Sequence, residues 1–200
     1  MNQECYYMFM RYYLNEDTET TGVSEDSLLI QIAFVPMDQH GNTIDQLAKE
    51  WLIKCPSFQE LYPKLNDFCR KNNEALITKS HKKGLDAEVV RKEIEDYLSS
   101  PAIKALFQNK KPTLFGKSIS ALDMPKLVQT FGWDWVRSQF NHRVLDLGSL
   151  AMDYINRGKL PSDCESSDSL VKFFKLGTVS HLALDDCKQL AQVYQLMQKL

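Results

Sequence analysis

The chain has 200 residues, 44% of them apolar and 25% charged, with a formal net charge of −2. This balance predicts one domain over residues 1–200 with a sizeable core. It excludes a protein that coats long nucleic acid by charge alone, but not one that borrows positive charge from bound cations.

The five cysteines, Cys5, Cys55, Cys69, Cys164 and Cys187, are scattered without a C-x-x-C pair. Neither a zinc site nor a disulfide framework is expected, and a reducing, cytoplasmic location fits. No apolar run approaches the roughly 20 residues that cross a bilayer, so no membrane partner is expected. The N-terminal run is interrupted by Arg11 and lacks the basic leader and cleavage site of a signal peptide.

In chain order, an apolar and aromatic run from Tyr6 to Leu14 drives into Asn15-Glu16-Asp17-Thr18-Glu19-Thr20-Thr21 and stops at Gly22. As a strand, it places Tyr13, Asn15, Asp17 and Glu19 on one face. Two carboxylates on one buried face repel and lose hydration, and a divalent cation held by oxygen ligands compensates both. The alternative ends the strand at Leu14 and leaves the acids in an exposed turn. A calcium loop fails, because its twelfth position is Leu28 where a bidentate Glu is required.

Leu28 to Val35 reads as a buried second strand, and Thr43 to Ile53 as a third that completes a meander. From Ser57 the pattern turns helical, with Phe58, Leu61, Leu65 and Phe68 at spacings of three and four. A further helix runs from Ala87 to Leu98, followed by a short helical turn from Ile103 to Phe107. The basic run Lys79-Ser80-His81-Lys82-Lys83-Gly84, between the helix from Ser57 and the helix from Ala87, reads as a solvated loop or a phosphate-backbone contact.

Thr113 to Gly116 is a strand. Asp123-Met124-Pro125 opens a helix through Phe131, in which Asp123 is an N-cap or something more specific. Trp133 to Val144 is aromatic-rich helix or loop. Arg143 to Leu147 is a short strand, Gly148 to Ile155 a helix, and Arg157 to Asp168 a polar, mobile loop. His181 to Leu200 is helical at its core, with Asp186 in line with Leu190, Val193 and Met197. An unpaired acid on that apolar stripe is expensive. Asp185 falls on the wet side, and His181 in the loop just before the helix.

Three short segments in a fixed order carry a resemblance. Asp17-Thr18-Glu19-Thr20-Thr21-Gly22, Gly116-Lys117-Ser118-Ile119 with Leu122-Asp123, and His181-Leu182-Ala183-Leu184-Asp185-Asp186 resemble the three motifs of the DEDD 3′→5′ exonucleases, in their histidine-containing DEDDh form. Arg143-Val144-Leu145-Asp146 with Gly148-Ser149-Leu150 resembles the strand-helix element between the second and third motifs. Ser118 stands where many members have Asn, and Met124-Pro125-Lys126-Leu127 replaces the usual residues after the aspartate.

The resemblance implies an α/β ribonuclease H-like fold with a central mixed five-stranded sheet flanked by helices. It implies removal of nucleoside monophosphates from single-stranded DNA or RNA 3′ ends with two Mg²⁺ ions, for which Mn²⁺ substitutes. Asp17, Glu19, Asp123 and Asp186 would hold the metal, and His181 would be the general base. Thr20, Thr21, Gly22, Lys117 and Ser118 would contact the substrate. Similar ribonucleases form homodimers, and Lys79 to Lys83 would be the patch offered to a neighbour's substrate. Two other classes stay open: an inactive nucleic-acid end-binding module, and a proofreading subunit of a polymerase assembly.

Overall fold

The structure, a computed structural model, describes residues 10–200. Cys5, the part of the expected first strand from Tyr6 to residue 9, and the stretch read for a leader lie outside them. Five strands form one mixed sheet, β1 (Tyr12–Thr20), β2 (Leu29–Asp38), β3 (Lys49–Leu52), β4 (Leu114–Gly116) and β5 (Val144–Asp146), in the order β3-β2-β1-β4-β5. The β1–β2 and β2–β3 pairs are antiparallel, and the β1–β4 and β4–β5 pairs are parallel. This is the expected ribonuclease H-like sheet. Gly116 lets β4 approach β1 closely, because a Cβ there would lie 2.6 Å from the Glu16 carbonyl oxygen.

Ten helices surround the sheet among the described residues: α1 (Phe58–Leu61), α2 (Asp67–Asn72), α3 (Glu74–Lys83), α4 (Ala87–Ser99), α5 (Pro101–Leu106), α6 (Asp123–Phe131), α7 (Trp133–Gln139), α8 (Leu147–Asn156), α9 (Ser167–Phe173) and α10 (Ala183–Met197). On one face, Leu14, Ile32 and Phe34 of the sheet pack with Val90 and Ile94 of α4, Leu127 of α6 and Trp135 of α7. On the other, Tyr13, Met37 and Phe115 pack with Ala151 of α8, Leu170 of α9 and Leu190, Val193 and Met197 of α10. Asp185 is exposed, as its helical phase predicts. A smaller cluster under Ile30 holds α1, α2 and α3 at the β2 side.

Several sequence readings need correction. The meander return is shorter than Thr43 to Ile53: Thr43 and Ile53 make isolated bridges, a 3-10 turn covers Asp45–Leu47, and only Lys49–Leu52 is strand. The helix expected from Ser57 breaks into α1, a 3-10 turn at Tyr62–Lys64 containing Pro63, and α2. Ser57 caps α1 in a capping box with Glu60, and Asn66 caps α2. Phe68 therefore points out of the core instead of into it.

The basic run is not a loop. Lys79 to Lys83 forms the last turns of α3, where the buried Ser80 hydroxyl donates to the Ile30 carbonyl 3.1 Å away. A serine in a core position interrupts the apolar period, which hides the helix from the sequence pattern. Trp133 to Gln139 is helix α7. The Arg157 to Asp168 stretch is turn-rich as expected, but buried Leu160 and Cys164 pin it to the core, and α9 begins at Ser167. Asp123 is the first residue of α6, and its side chain caps nothing there.

Candidate active site

The site forms where β1 runs out of the sheet. Alternation sends Asp17 and Glu19 toward α10, whose first turn carries Asp186. The opposite face carries Glu16 and Thr18, and the Thr18 hydroxyl donates to Asp123 Oδ1 at the start of α6, 2.5 Å away. The acids from both faces meet at this end of the strand, in an open cleft of about 1050 Å³. The exposed-turn reading of Asp17 and Glu19 is thereby excluded.

Main-chain and hydroxyl donors orient these carboxylates. Asp186 Oδ1 accepts from the Ser180 amide at 3.1 Å and from its hydroxyl at 2.9 Å. His181 follows in a left-handed conformation, φ 56°, just before α10 as expected. Ligand atoms of Glu19, His181 and Asp186 lie within 4.8 Å of one another, a spacing that one cation can bridge. Phe68 of α2 sets its ring edge against His181, with centroids 5.3 Å apart.

The electrostatics report a missing positive charge. Burial, reinforced by Asp123, Glu19, Asp186 and Glu16, pushes the Asp17 carboxyl well above its ordinary range, and no cation offsets it. Burial with Asp186 and Asp123 raises Glu19 to about 8. Burial raises Asp123 to about 6 against the Thr18 hydrogen bond, and raises Asp186 against the Ser180 bonds. Glu16 is 1% exposed, and both its carboxylate oxygens lack a hydrogen-bond partner among the described residues. Burial, then Asp123, raises its pKa as well. Carboxylate oxygens with one imidazole, unpaired with any lysine or arginine among the described residues, fit hard divalent cations such as Mg²⁺ and Mn²⁺.

The expected substrate residues divide. Thr20, Gly22, Lys117 and Ser118 line the cleft. Thr21 does not: it is buried, and its hydroxyl oxygen accepts from the Leu28 amide at 2.9 Å, closing the turn between β1 and β2. Ser118 has φ 60°, a left-handed position for which Asn is better suited than Ser. Asp146 ties this loop down, one oxygen accepting from the Ile119 amide and the other from Ser149 at the start of α8, both 3.0 Å. Burial lowers the Lys117 ammonium pKa, with Asp146 and Glu165 opposing the shift.

Two features were not found in the sequence. Val23, 80% exposed, and Phe68, 52% exposed, line the cleft with Leu122, so apolar side chains ring an acidic floor. Asn73 is buried, and its amide donates to the Thr20 carbonyl at 3.1 Å. The spacing of Phe68 with Leu61 and Leu65 suggests core; only the Pro63 break gives a hint that it is not.

No family model matches the chain, and no curated protein matches it by sequence. Solved structures do. The E. coli exonuclease I–ssDNA complex in its zinc-bound form aligns with a TM-score of 0.69 at 16% identity, over 94% of this chain and 40% of that one. The nuclease domain of 3′hExo, a DEDDh family member bound to rAMP, aligns with a TM-score of 0.62 at 15% identity, over 96% of this chain and 94% of that one. The chain has the fold of the DEDDh 3′ exonucleases. A full-length 3′-exonuclease shares it, with a TM-score of 0.61 at 17% identity over 95% of this chain and 82% of that one. The chain thus spans about two fifths of E. coli exonuclease I but nearly all of the 3′hExo nuclease domain. Among the described residues, no helix is long and apolar enough to cross a membrane.

Proposed function

We propose that the chain is a metal-dependent 3′→5′ exonuclease that releases nucleoside monophosphates from single-stranded DNA or RNA ends. One observation carries this: four carboxylates from β1, α6 and α10 gather with His181 around one cleft, and none of them makes an ion pair among the described residues. Asp17, Glu19, Asp123 and Asp186 would hold two Mg²⁺ or Mn²⁺ ions, and bound there the ions supply a low-pKa water and charge relief for the leaving oxygen.

The remaining work falls to the chain's own groups. His181, beside Glu19 and Asp186, takes the proton of the attacking water, a task suited to imidazole because its charge changes near neutral pH. Ser180 keeps Asp186 aimed at the cleft, and Thr18 keeps Asp123 turned toward Asp17. The main chain at Thr20 and Gly22 meets the terminal sugar, while Val23, Phe68 and Leu122 offer apolar contact to the base. Lys117 and Ser118 meet the phosphate on the other wall. ssDNA in one structural neighbour and rAMP in another leave both sugars open for this chain.

The homodimer reading now rests on Lys82 and Lys83, exposed at the end of α3, as the surface offered to a neighbour's substrate. The four cysteines among the described residues are free and buried, which suits a reducing cytoplasm. The test of the activity uses one 5′-labelled single-stranded oligomer made as DNA and as RNA, incubated with Mg²⁺, with EDTA, and with the Asp17→Ala variant. A ladder that shortens from the 3′ end, abolished by EDTA and by the variant, is expected. A folded protein that cuts neither strand with Mg²⁺ or Mn²⁺ would be an end-binding module instead.

A further inference from the structure

The departure after Asp123 in the second motif has a structural counterpart. Lys126 follows Asp123 by three residues and so lies on the same side of α6. Its side chain is buried, and its ammonium makes no ion pair among the described residues. Instead Nζ donates to the carbonyls of Ser24 at 2.8 Å, Glu25 at 3.0 Å and Ser27 at 2.9 Å, and to Gln129 Oε1 at 3.0 Å. Three of these four acceptors belong to the turn that joins β1 to β2. A buried ammonium is costly unless every N–H is met, and here the turn's main chain meets them.

That turn is one wall of the cleft. Val23, at its start, lines the cavity and projects into it with little packing of its own. On its other side, Asn73 holds the Thr20 carbonyl. One side chain from α6 and one from the junction of α2 and α3 therefore fix the main chain from Thr20 to Ser27, just beyond Glu19.

We propose that Lys126 is a positioning residue that sets the β1–β2 turn as the wall against which the 3′-terminal nucleotide is seated. This rests on the exonuclease reading above. Lys126 does not touch the acids' cation site; it acts through the turn, on how the end of the strand is held. Misplacing such a wall by about 1 Å costs binding and alignment, not the charge of the site.

The experiment compares wild type, Lys126→Met and Lys126→Gln on oligomers ending in a 3′-hydroxyl or a 3′-phosphate. Mn²⁺ affinity is measured by calorimetry, and backbone amide exchange is followed across residues 22–28. Lys126→Met should raise KM about tenfold, with kcat within about twofold, the loss expected when a charge-assisted hydrogen-bond set is removed. It should also narrow the preference for the 3′-hydroxyl end, speed exchange in the turn and leave Mn²⁺ affinity unchanged. Lys126→Gln, whose amide keeps two donors, should recover part of both KM and preference. A lower Tm with unchanged KM and end preference would make Lys126 a stabilising residue only and overturn the proposal. Weakened Mn²⁺ binding would overturn it too, by placing its effect on the acids. A wild-type protein that degrades no oligomer removes the exonuclease reading itself, a result distinct from either.

Discussion

The two faces of β1 treat the same chemical group in opposite ways. Toward α10, Asp17 and Glu19 stand at a cleft beside Asp186 and His181, half-exposed and within reach of solvent cations. Toward α6, one residue away, Glu16 is buried with no hydrogen-bond partner among the described residues, and Asp123 is held by a hydroxyl. A strand's alternation distributes acids to both sides; what lies over each side decides which acids can be used. Burial without access makes Glu16 a liability to folding, whereas burial with access gives Asp17 and Glu19 the setting of the proposed cation site.

Substitutions along β1 sharpen that contrast. Asp17→Asn, at the cleft, should lower kcat by at least about a thousandfold on a 5′-labelled oligomer while the protein stays folded, because it removes a ligand charge rather than packing. Residual activity near wild type would detach catalysis from this face. Glu16→Met, one residue away, should do the reverse and stabilise the metal-free protein by about 1–3 kcal/mol, since it replaces an unpartnered buried carboxyl by an apolar chain of similar shape. Denaturant unfolding in EDTA measures this, and a destabilised variant would show that Glu16 has a partner after all.

Thr18→Val tests the link between the faces. Loss of the hydroxyl that orients Asp123 should weaken activity and Mg²⁺ dependence by about tenfold without a change in fold, as removal of a ligand's supporting hydrogen bond does elsewhere. No change in either would leave Asp123 free of that tether in function.

The smallest effect is in pH. A raised folded pKa means that the metal-free native state binds protons more tightly than the unfolded chain, so stability falls as pH climbs from the ordinary carboxylate range. For Glu19 that window runs from 4.5 to about 8, and for Asp123 from 3.8 to about 6. Below it the penalty is absent. Bound Mg²⁺ offsets the charge, so the gap between melting curves in Mg²⁺ and in EDTA should widen by about 5 °C across this window. A gap that narrows with rising pH would mean that the acids do not share a cation.

Much of this was legible in the sequence because the acids lie in ordered motifs and on elements with clean periods. The phase of Asp186 against Leu190, Val193 and Met197 placed it on the buried stripe of α10, and all three are buried. The central strand and the helix from Ala87 were likewise readable from alternation and from a 3.6-residue period. What failed has local causes. Ser80 occupies a core position through a hydrogen bond to Ile30, so α3 showed no apolar stripe. Pro63 split a helix and turned Phe68 from the core to the cleft. Lys126 and Asn73 bind main-chain carbonyls distant in sequence, and no spacing rule announces such partners. Glu16 was passed over beside Asp17, because period two ranks it on the other face without saying what that face contains.

The most direct test of the central claim is calorimetric titration of the metal-stripped protein with Mn²⁺. The acid cluster at the end of β1 predicts saturable binding to wild type, reversed by EDTA and lost in Asp17→Asn. A folded wild-type protein that binds no Mn²⁺, or an Asp17→Asn variant that binds as wild type does, would contradict it.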